Sequence, residues 1–186
     1  MKRCIDVIIS GFALFVFSLP MLLIVFIIKI HSPGPAIYWS KRVGQYGHIF
    51  NMPKFRTMHV HTPELPTYQM DNAEQHITDF GFFLRKTSLD ELPQFLSVIT
   101  GDMSIVGPRP MIKQHIELNA KRKKKGIDKL RPGITGWAQI NGRDDLTNDE
   151  KLQLDMEYLK RQSICFDIFV MIKTLAYVCK ANGVRH

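Results

Sequence analysis

Nothing in this chain of 186 residues matches a Walker phosphate loop, a G-x-G-x-x-G turn or an H-E-x-x-H helix. The common nucleotide-loop, dinucleotide and zinc-hydrolase chemistries are therefore excluded at the level of motif. Cysteine is scarce: Cys4, Cys165 and Cys179 form no C-x-x-C pair and cannot all pair with one another, which argues for a reducing compartment over a disulfide framework. The seven histidines are scattered, and His59 with His61, lacking a carboxylate or thiolate cluster nearby, make a poor zinc site. Acidic residues are in the minority, 17 against 25 Lys and Arg, leaving a net charge of +8. Such a chain calls for negatively charged partners, and nucleic acid, anionic lipid and phosphorylated substrates all qualify on charge alone. Internal repeats, low-complexity tracts and interdomain linkers are absent. With 45% apolar residues the chain has the means to bury one sizeable core.

What is present begins with a hydrophobic run from Ile5 to Ile28, interrupted by Asp6, Ser10, Gly11, Ser18 and Pro20. As one helix it would be roughly 36 Å long, against a hydrocarbon core of about 30 Å, so contact with membrane lipid is expected. The run is long for a secretory signal and no small-residue cleavage site follows it. Pro20 predicts a kink, and Ser18 is placed to satisfy a backbone carbonyl freed there. Basic flanks stand at both ends, Lys2 and Arg3 before the run and Lys29 and His31 after it. A single kinked span and a re-entrant hairpin with both ends on the cytoplasmic side both fit this pattern. A second apolar stretch, Ile164 to Cys179, carries a narrow polar stripe of Asp167, Lys173, Thr174 and Lys180. It is too short and too charged to span, and reads equally as an interfacial helix or a core helix.

Between these lies the body. After Ser32-Pro33-Gly34-Pro35, Ile37–Val43 and His48–Met58 read as extended runs about a turn marked by Gly44 and Gly47. Residues 60–72 read as a loop, Asp79–Lys86 as a short amphipathic helix with Phe80, Phe83 and Leu84 on one face, and a second helix starts near Ser88 and ends before Gly101. Met103–Val106 reads as a strand, Met111–Ala120 as a helix, 131–143 as a glycine-rich structured loop, and Asn148–Gln162 as a helix again. The basic run Lys121–Lys125 reads first as a solvated face.

One segment stands out chemically, Thr87-Ser88-Leu89-Asp90-Glu91-Leu92-Pro93. Ser88 and Glu91 have capping-box spacing, which predicts a helix start. An ionised carboxylate there stands where a phosphate is also welcome. Adjacent carboxylates suit attack on phosphorus, Mg²⁺ binding or proton relay. Phosphate chemistry also needs cations, and Lys54, Arg56, Arg85, Arg109 and Arg143 lie in or beside Gly- and Pro-containing motifs that would hold them stiffly.

These motifs are KFRTM (54–58), RKTSLDELPQ (85–94), GDMSIVGPRP (101–110) and RPGITGWAQINGR (131–143), with LDMEYL (154–159) as a looser piece. Together and in this order they resemble the bacterial sugar transferase family, also called monotopic phosphoglycosyl transferases, over essentially the whole chain. The resemblance implies a mostly helical α+β protein: residues 1–31 as a re-entrant membrane helix, broken at Ser18 and Pro20, and residues 32–186 as a small catalytic domain on the cytoplasmic face of the bacterial inner membrane, with interfacial amphipathic helices. It also implies a reaction. A UDP-sugar binds with Mg²⁺ at Asp90 and Glu91, Asp90 attacks the sugar-linked phosphorus and releases UMP, and polyprenyl phosphate takes the phosphosugar. By the same resemblance Glu91 assists, Lys54, Arg56, Arg85, Arg109 and Arg143 hold phosphates, and Asp155 is a further candidate. Three positions depart from the family pattern: Leu19 separates Ser18 from Pro20, Ser97 stands where Asn is common, and Pro53 precedes KFRTM. With no multi-span portion ahead of the membrane segment, the sequence resembles the family's small members. The competing reading is a membrane-anchored basic module for anionic lipid or nucleic acid. It leaves the carboxylate and PRP motifs idle, and no RNA-stacking motif supports nucleic acid as a partner.

Overall fold

A computed structural model describes residues 1–62, 73–142 and 145–179. The apolar run is divided into two helices, α1 (Lys2–Val16) and α2 (Ser18–His31), bent by 58° relative to one another. The break falls at Phe17, so Pro20 sits in the first turn of α2, where its missing N–H has no partner to lose. The Ser18 hydroxyl donates to the Phe15 carbonyl at 2.7 Å, as the sequence predicts. Among the described residues no single helix is long and apolar enough to cross a membrane; the bent pair α1–α2 passes that test of length and composition only when its two helices are taken together.

The chain leaves α2 through Ser32 and forms an antiparallel hairpin of β1 (Ile37–Val43) and β2 (Ile49–Phe55), with Lys54 opposite Tyr38. A two-residue strand, β4 (Met111–Ile112), adds to the other side of β1, giving the order β2-β1-β4. A second sheet pairs β3 (Ser104–Val106) in parallel with β5 (Gly133–Thr135). The remaining helices are α3 (Asp79–Thr87), α4 (Gln94–Thr100), α5 (Ile116–Lys124), α6 (Trp137–Ile140), α7 (Asn148–Arg161) and α8 (Ile164–Cys179). Helices dominate, as expected, with small sheets between them. The fold corrects several boundaries. The helix expected over Met111–Ala120 begins only at Ile116, because Met111 and Ile112 pair with β1. The glycine-rich loop contains β5 and α6. Most of the expected 60–72 loop lies outside the described residues, but its flanks are tied by the Met58–Ile77 bridge.

Two apolar clusters form the core. One gathers Phe50, Met52, Val98, Met103, Val106, Tyr158, Phe166 and Val170. The other joins Ile24 and Ile28 of α2 to Phe55 and Leu84, with Leu89 and Leu92 packed against it. The second α-helix is thereby the support for the segment that carries Asp90 and Glu91.

The polarity of α1 is inverted relative to a surface helix of a water-soluble protein. Asp6, Ser10 and Ala13 are its buried residues, whereas Ile8, Phe12 and Phe15 are exposed, Phe12 by 68%. Asp6 accepts hydrogen bonds from the Ser104 hydroxyl at 2.8 Å and the Ile105 N–H at 3.2 Å. Arg3 donates to the carbonyls of Val98 and Ile99 at the end of α4, and Lys2 pairs with Asp167 of α8 at 2.6 Å. The basic residues read as membrane flanks thus serve to dock α1. Helix α8 repeats the inversion. Phe166, Asp167 and Val170 face inward while Ile168, Phe169, Ile172 and Leu175 are exposed, so it is core helix and apolar outer surface at once. In α3, Leu84 is buried, but Phe83, expected on the same buried face, is half exposed.

Replacing Asp6 by Ala leaves the buried Ile105 N–H without its acceptor. The variant is expected to lose about 1–3 kcal/mol of stability, read as a lowered thermal midpoint in a lipid nanodisc.

Candidate active site

Each side chain at the site is fixed by a short, constrained segment. Helix α3 stops at Thr87, and Ser88 takes a left-handed conformation (φ 57°) that reverses the chain. A 3-10 turn follows over Leu89–Glu91, and α4 begins only at Gln94, after Pro93. The predicted capping box at Ser88 is therefore not formed, since Ser88 makes no side-chain cap bond. Its role as the closing residue of α3 overrides the local pattern. A capping box is instead built by Thr147 and Glu150 at the start of α7. With Leu89 and Leu92 held in the apolar cluster, the turn presents Asp90 and Glu91 on its other side.

Asp90 is 9% exposed. The Lys54 ammonium, delivered by the end of β2, donates to Glu91 Oε1 at 2.7 Å and lies 3.8 Å from Asp90 Oδ2. One cation therefore serves two carboxylates. Arg109 reaches Glu91 Oε1 at 3.5 Å. Arg85 donates through Nε to the Thr57 hydroxyl at 2.9 Å and is close enough for its charge and that of Asp90 to act on each other. Burial pushes the Asp90 carboxyl above the ordinary carboxylate range, and the Glu91 charge adds to this; Lys54, then Arg85 and Arg109, pull it back down. Burial also lowers the Arg85 guanidinium, against the pull of Asp90.

Arg109 stands on a backbone platform. Gly107 N–H donates to the Thr135 carbonyl and Gly133 N–H to the Pro108 carbonyl, each at 2.9 Å. A Cβ on Gly107 would collide with the Arg131 carbonyl, and one on Gly133 with the Gly107 nitrogen. Two glycine motifs far apart in sequence thus lie backbone on backbone, which only residues without side chains permit. From the other side Arg122 donates to the Arg109 carbonyl at 2.8 Å while gripping Asp155 Oδ2 through Nε at 3.0 Å and Nη2 at 2.6 Å.

The structure brings Asp90, Glu91, Lys54, Arg85 and Arg109 together. Arg56 goes elsewhere: it is buried, donates to the Ser32 carbonyl at 2.8 Å, and packs so closely on Gly34 that a Cβ there would come within 2.5 Å. It fastens the exit of α2. Asp155 is held 2% exposed in its ion pair with Arg122 and supports Arg109 from behind. Arg143 lies outside the described residues.

Two residues escaped the sequence reading. Arg42 of β1 bonds Ser40 at 3.0 Å and the Pro110 carbonyl at 3.4 Å. Burial and the neighbouring Arg109 pull it down to about 10, with Glu91 opposing. Arg122 was read as one of five solvated cations, yet it is buried. Its place four residues after Leu118, the other inward residue of α5, is the signal that would have found it.

Two adjacent carboxylates suit Mg²⁺, which is usually held by one or two carboxylates together with substrate phosphate oxygens and water. Among the described residues no group of three or more metal-ligating side chains occurs, so an all-protein cage is not what the site offers. That Asp90 and Glu91 already share one cation, Lys54, shows that both face a common position for positive charge.

The model of the family described as bacterial sugar transferase matches residues 1–181. The chain is 40% identical over 183 residues to a UDP-glucose:undecaprenyl-phosphate glucose-1-phosphate transferase of Escherichia coli K12, an alignment covering 94% of this chain and 39% of the relative. It is 35% identical over 198 residues to the exopolysaccharide production protein ExoY of Rhizobium meliloti, covering 98% and 87% respectively. It is 34% identical over 201 residues to an undecaprenyl-phosphate galactose phosphotransferase of Salmonella typhimurium, covering 98% and 41%. The chain thus spans about two fifths of the E. coli and Salmonella relatives and nearly nine tenths of ExoY.

Two expectations arise from this geometry. Because the Lys54 charge favours ionised Asp90, Lys54→Ala raises the Asp90 carboxyl further; the acidic limb of any Asp90-dependent activity moves to higher pH, read from a pH–rate profile. Asp155→Ala strands a buried guanidinium and costs about 3–5 kcal/mol. Pairing Asp155→Leu with Arg122→Met restores much of that stability. It does not restore the Arg109 anchor, and turnover stays down by up to about a hundredfold.

Proposed function

The chain belongs to the bacterial sugar transferase family, and from that premise we propose that it moves a sugar-1-phosphate from a UDP-sugar to polyprenyl phosphate, giving polyprenyl-diphosphate-sugar and UMP. The observation that carries this reading is the buried Asp90–Glu91 turn with Lys54, Arg85 and Arg109 converging on it. A carboxylate nucleophile for phosphorus must be ionised yet poorly solvated; burial strips water from Asp90 and pushes its carboxyl up, while Lys54, Arg85 and Arg109 favour its charged form. Arg109 and Lys54 offer N–H donors to diphosphate oxygens, and a guanidinium on a rigid platform is suited to a two-pronged grip.

In the proposed sequence an Asp90 oxygen attacks the phosphorus that bears the sugar. The bond to the bridging oxygen of the diphosphate breaks and UMP departs with the electron pair. The acyl phosphate so formed is attacked by a phosphate oxygen of polyprenyl phosphate, which frees Asp90 and yields the diphosphate product. Glu91, beside Asp90 and bonded to Lys54, tunes the charge of the site. Mg²⁺, held by Asp90 and Glu91, would supply charge neutralisation on the diphosphate.

The apolar outer faces of α1, α2 and α8 support seating in the inner membrane, with α1–α2 as a re-entrant pair and the catalytic domain on the cytoplasmic face. Polar side chains turned inward and apolar ones outward suit lipid rather than water as the surrounding medium. The names of the relatives, which include undecaprenyl-phosphate transferases and an exopolysaccharide production protein, support a place early in bacterial surface-glycan synthesis.

The test is nucleotide release from nanodisc-embedded protein supplied with Mg²⁺, undecaprenyl phosphate and a panel of UDP-sugars. UMP as the product supports the reading, and UDP as the product would point to transfer of the sugar without its phosphate. Asp90→Asn is expected to cut turnover by more than about a thousandfold and to abolish a phosphosugar mass adduct on the protein. Full turnover by that variant would refute the covalent role.

A further inference from the structure

A cavity of about 380 Å³ opens beside the carboxylate site, between the tip of the β1–β2 hairpin, α5 and the segment 127–132. Its volume lies in the range of small-molecule sites. Its walls are mostly carbon, from Val43, Ile49, Ile116, Ile127 and Leu130 among others, with Tyr46 at the hairpin tip and Asn119 and Asp128 as isolated polar groups. Lys113, Lys123 and Arg109 also line it, and Arg109 is the residue that reaches Glu91. The cavity and the catalytic turn therefore share a guanidinium.

We propose that this cavity takes the uridine end of the donor, with Arg109 spanning the diphosphate between it and Asp90; the inference rests on the transferase reading above. Three observations favour a nucleoside over the other parts of the substrates. A sugar needs polar partners all round its rim of hydroxyls, whereas much of this wall is apolar and most of its polar side chains, Arg109, Lys113, Arg122 and Lys123, are cations suited to phosphate. A polyprenyl chain must come from lipid, and no residue of α1, α2, α3, α4 or α8 lines the cavity. A flat base with a few edge donors and acceptors fits apolar walls, an aromatic side chain and the uncharged or acidic polar groups of Asn119 and Asp128.

The hairpin tip is built to hold Tyr46 in place. Tyr46 has φ 54°, a conformation costly for a bulky residue and one that persists where surrounding structure enforces it. Gln45, next to it, donates to the Lys129 carbonyl at 2.8 Å, closing the tip onto the far wall. Tyr46 is 71% exposed, so its ring is available to a base as a stacking surface rather than committed to the core.

The experiment measures UMP binding by calorimetry to nanodisc-embedded wild-type protein and three variants. Ala120→Trp fills the cavity from α5, Tyr46→Ala removes the ring, and Lys124→Trp places the same bulk on α5 outside the cavity. UMP binding weakened at least about tenfold by Ala120→Trp and Tyr46→Ala, and unchanged by Lys124→Trp, supports the assignment. Absence of UMP binding to the wild type overturns it. So does equal affinity in the wild type and Tyr46→Ala, whose exposed side chain makes misfolding an inadequate excuse, together with unchanged affinity in Ala120→Trp. Turnover is scored separately: cavity-dependent UMP binding with no release of UMP from any UDP-sugar would keep the nucleoside site and sink the transferase reading.

Discussion

Two carboxylates side by side on a buried turn repel each other and resist desolvation, and the cations around Asp90 and Glu91 are the answer to that constraint. Lys54 reaches both. Coulomb attraction at such distances grows as water is withdrawn, so the burial that makes Asp90 costly also makes its cations effective. The demand propagates outward. β2 must end where Lys54 reaches the turn, α3 must close with Arg85 near Asp90, and two glycine motifs must lie in backbone contact to fix Arg109. Arg109 in turn is braced by a second buried charge pair, Arg122–Asp155. The fold is in this sense a scaffold for holding charge out of water in matched proportions.

A complementary constraint acts on the envelope. Helices α1 and α8 each direct a carboxylate inward, Asp6 to Ser104 and Ile105, Asp167 to Lys2 and Tyr158. In water such an arrangement would leave large apolar side chains exposed at a cost of about 25 cal/mol for every Å². In lipid the same faces incur no cost, and the inward polar groups gain partners that hydrocarbon cannot provide.

Much of the site was legible because its residues sit in contiguous motifs. Asp90 and Glu91 adjoin, Arg85 stands five residues before, and Lys54 and Arg109 each sit in a short motif of their own. What sequence could not convey was direction. Lys54 and Arg56 are two residues apart, yet one points to the carboxylates and the other back to Ser32, because β2 ends between them at Phe55. Ser88 has the spacing of a cap but serves as a left-handed reversal. Arg122 hides among four other cations until the phase of α5 turns it inward. Asp6 looked like an interruption in an apolar run, since its partners are about a hundred residues away. Local pattern fixes residue type and spacing, and tertiary contact decides which way each side chain faces.

The proposed donor dissolves in water and the proposed acceptor is anchored in lipid, so one nucleophile must be reachable from both. The turn over Leu89–Glu91 satisfies this with three residues. Leu89, with Leu92 just beyond the turn, is packed on the apolar cluster that includes Ile24 and Ile28 of α2. Glu91 meets Arg109 at the edge of a cavity that shares no residue with the apolar outer helices. Asp90 lies between them in the turn and is buried. In the proposed route the phosphosugar is held on Asp90 once UMP has left, so nucleotide and acceptor need not occupy the turn together. A covalent route is what the proposal asks of a single buried carboxylate that serves a water-soluble donor and a lipid-anchored acceptor in turn.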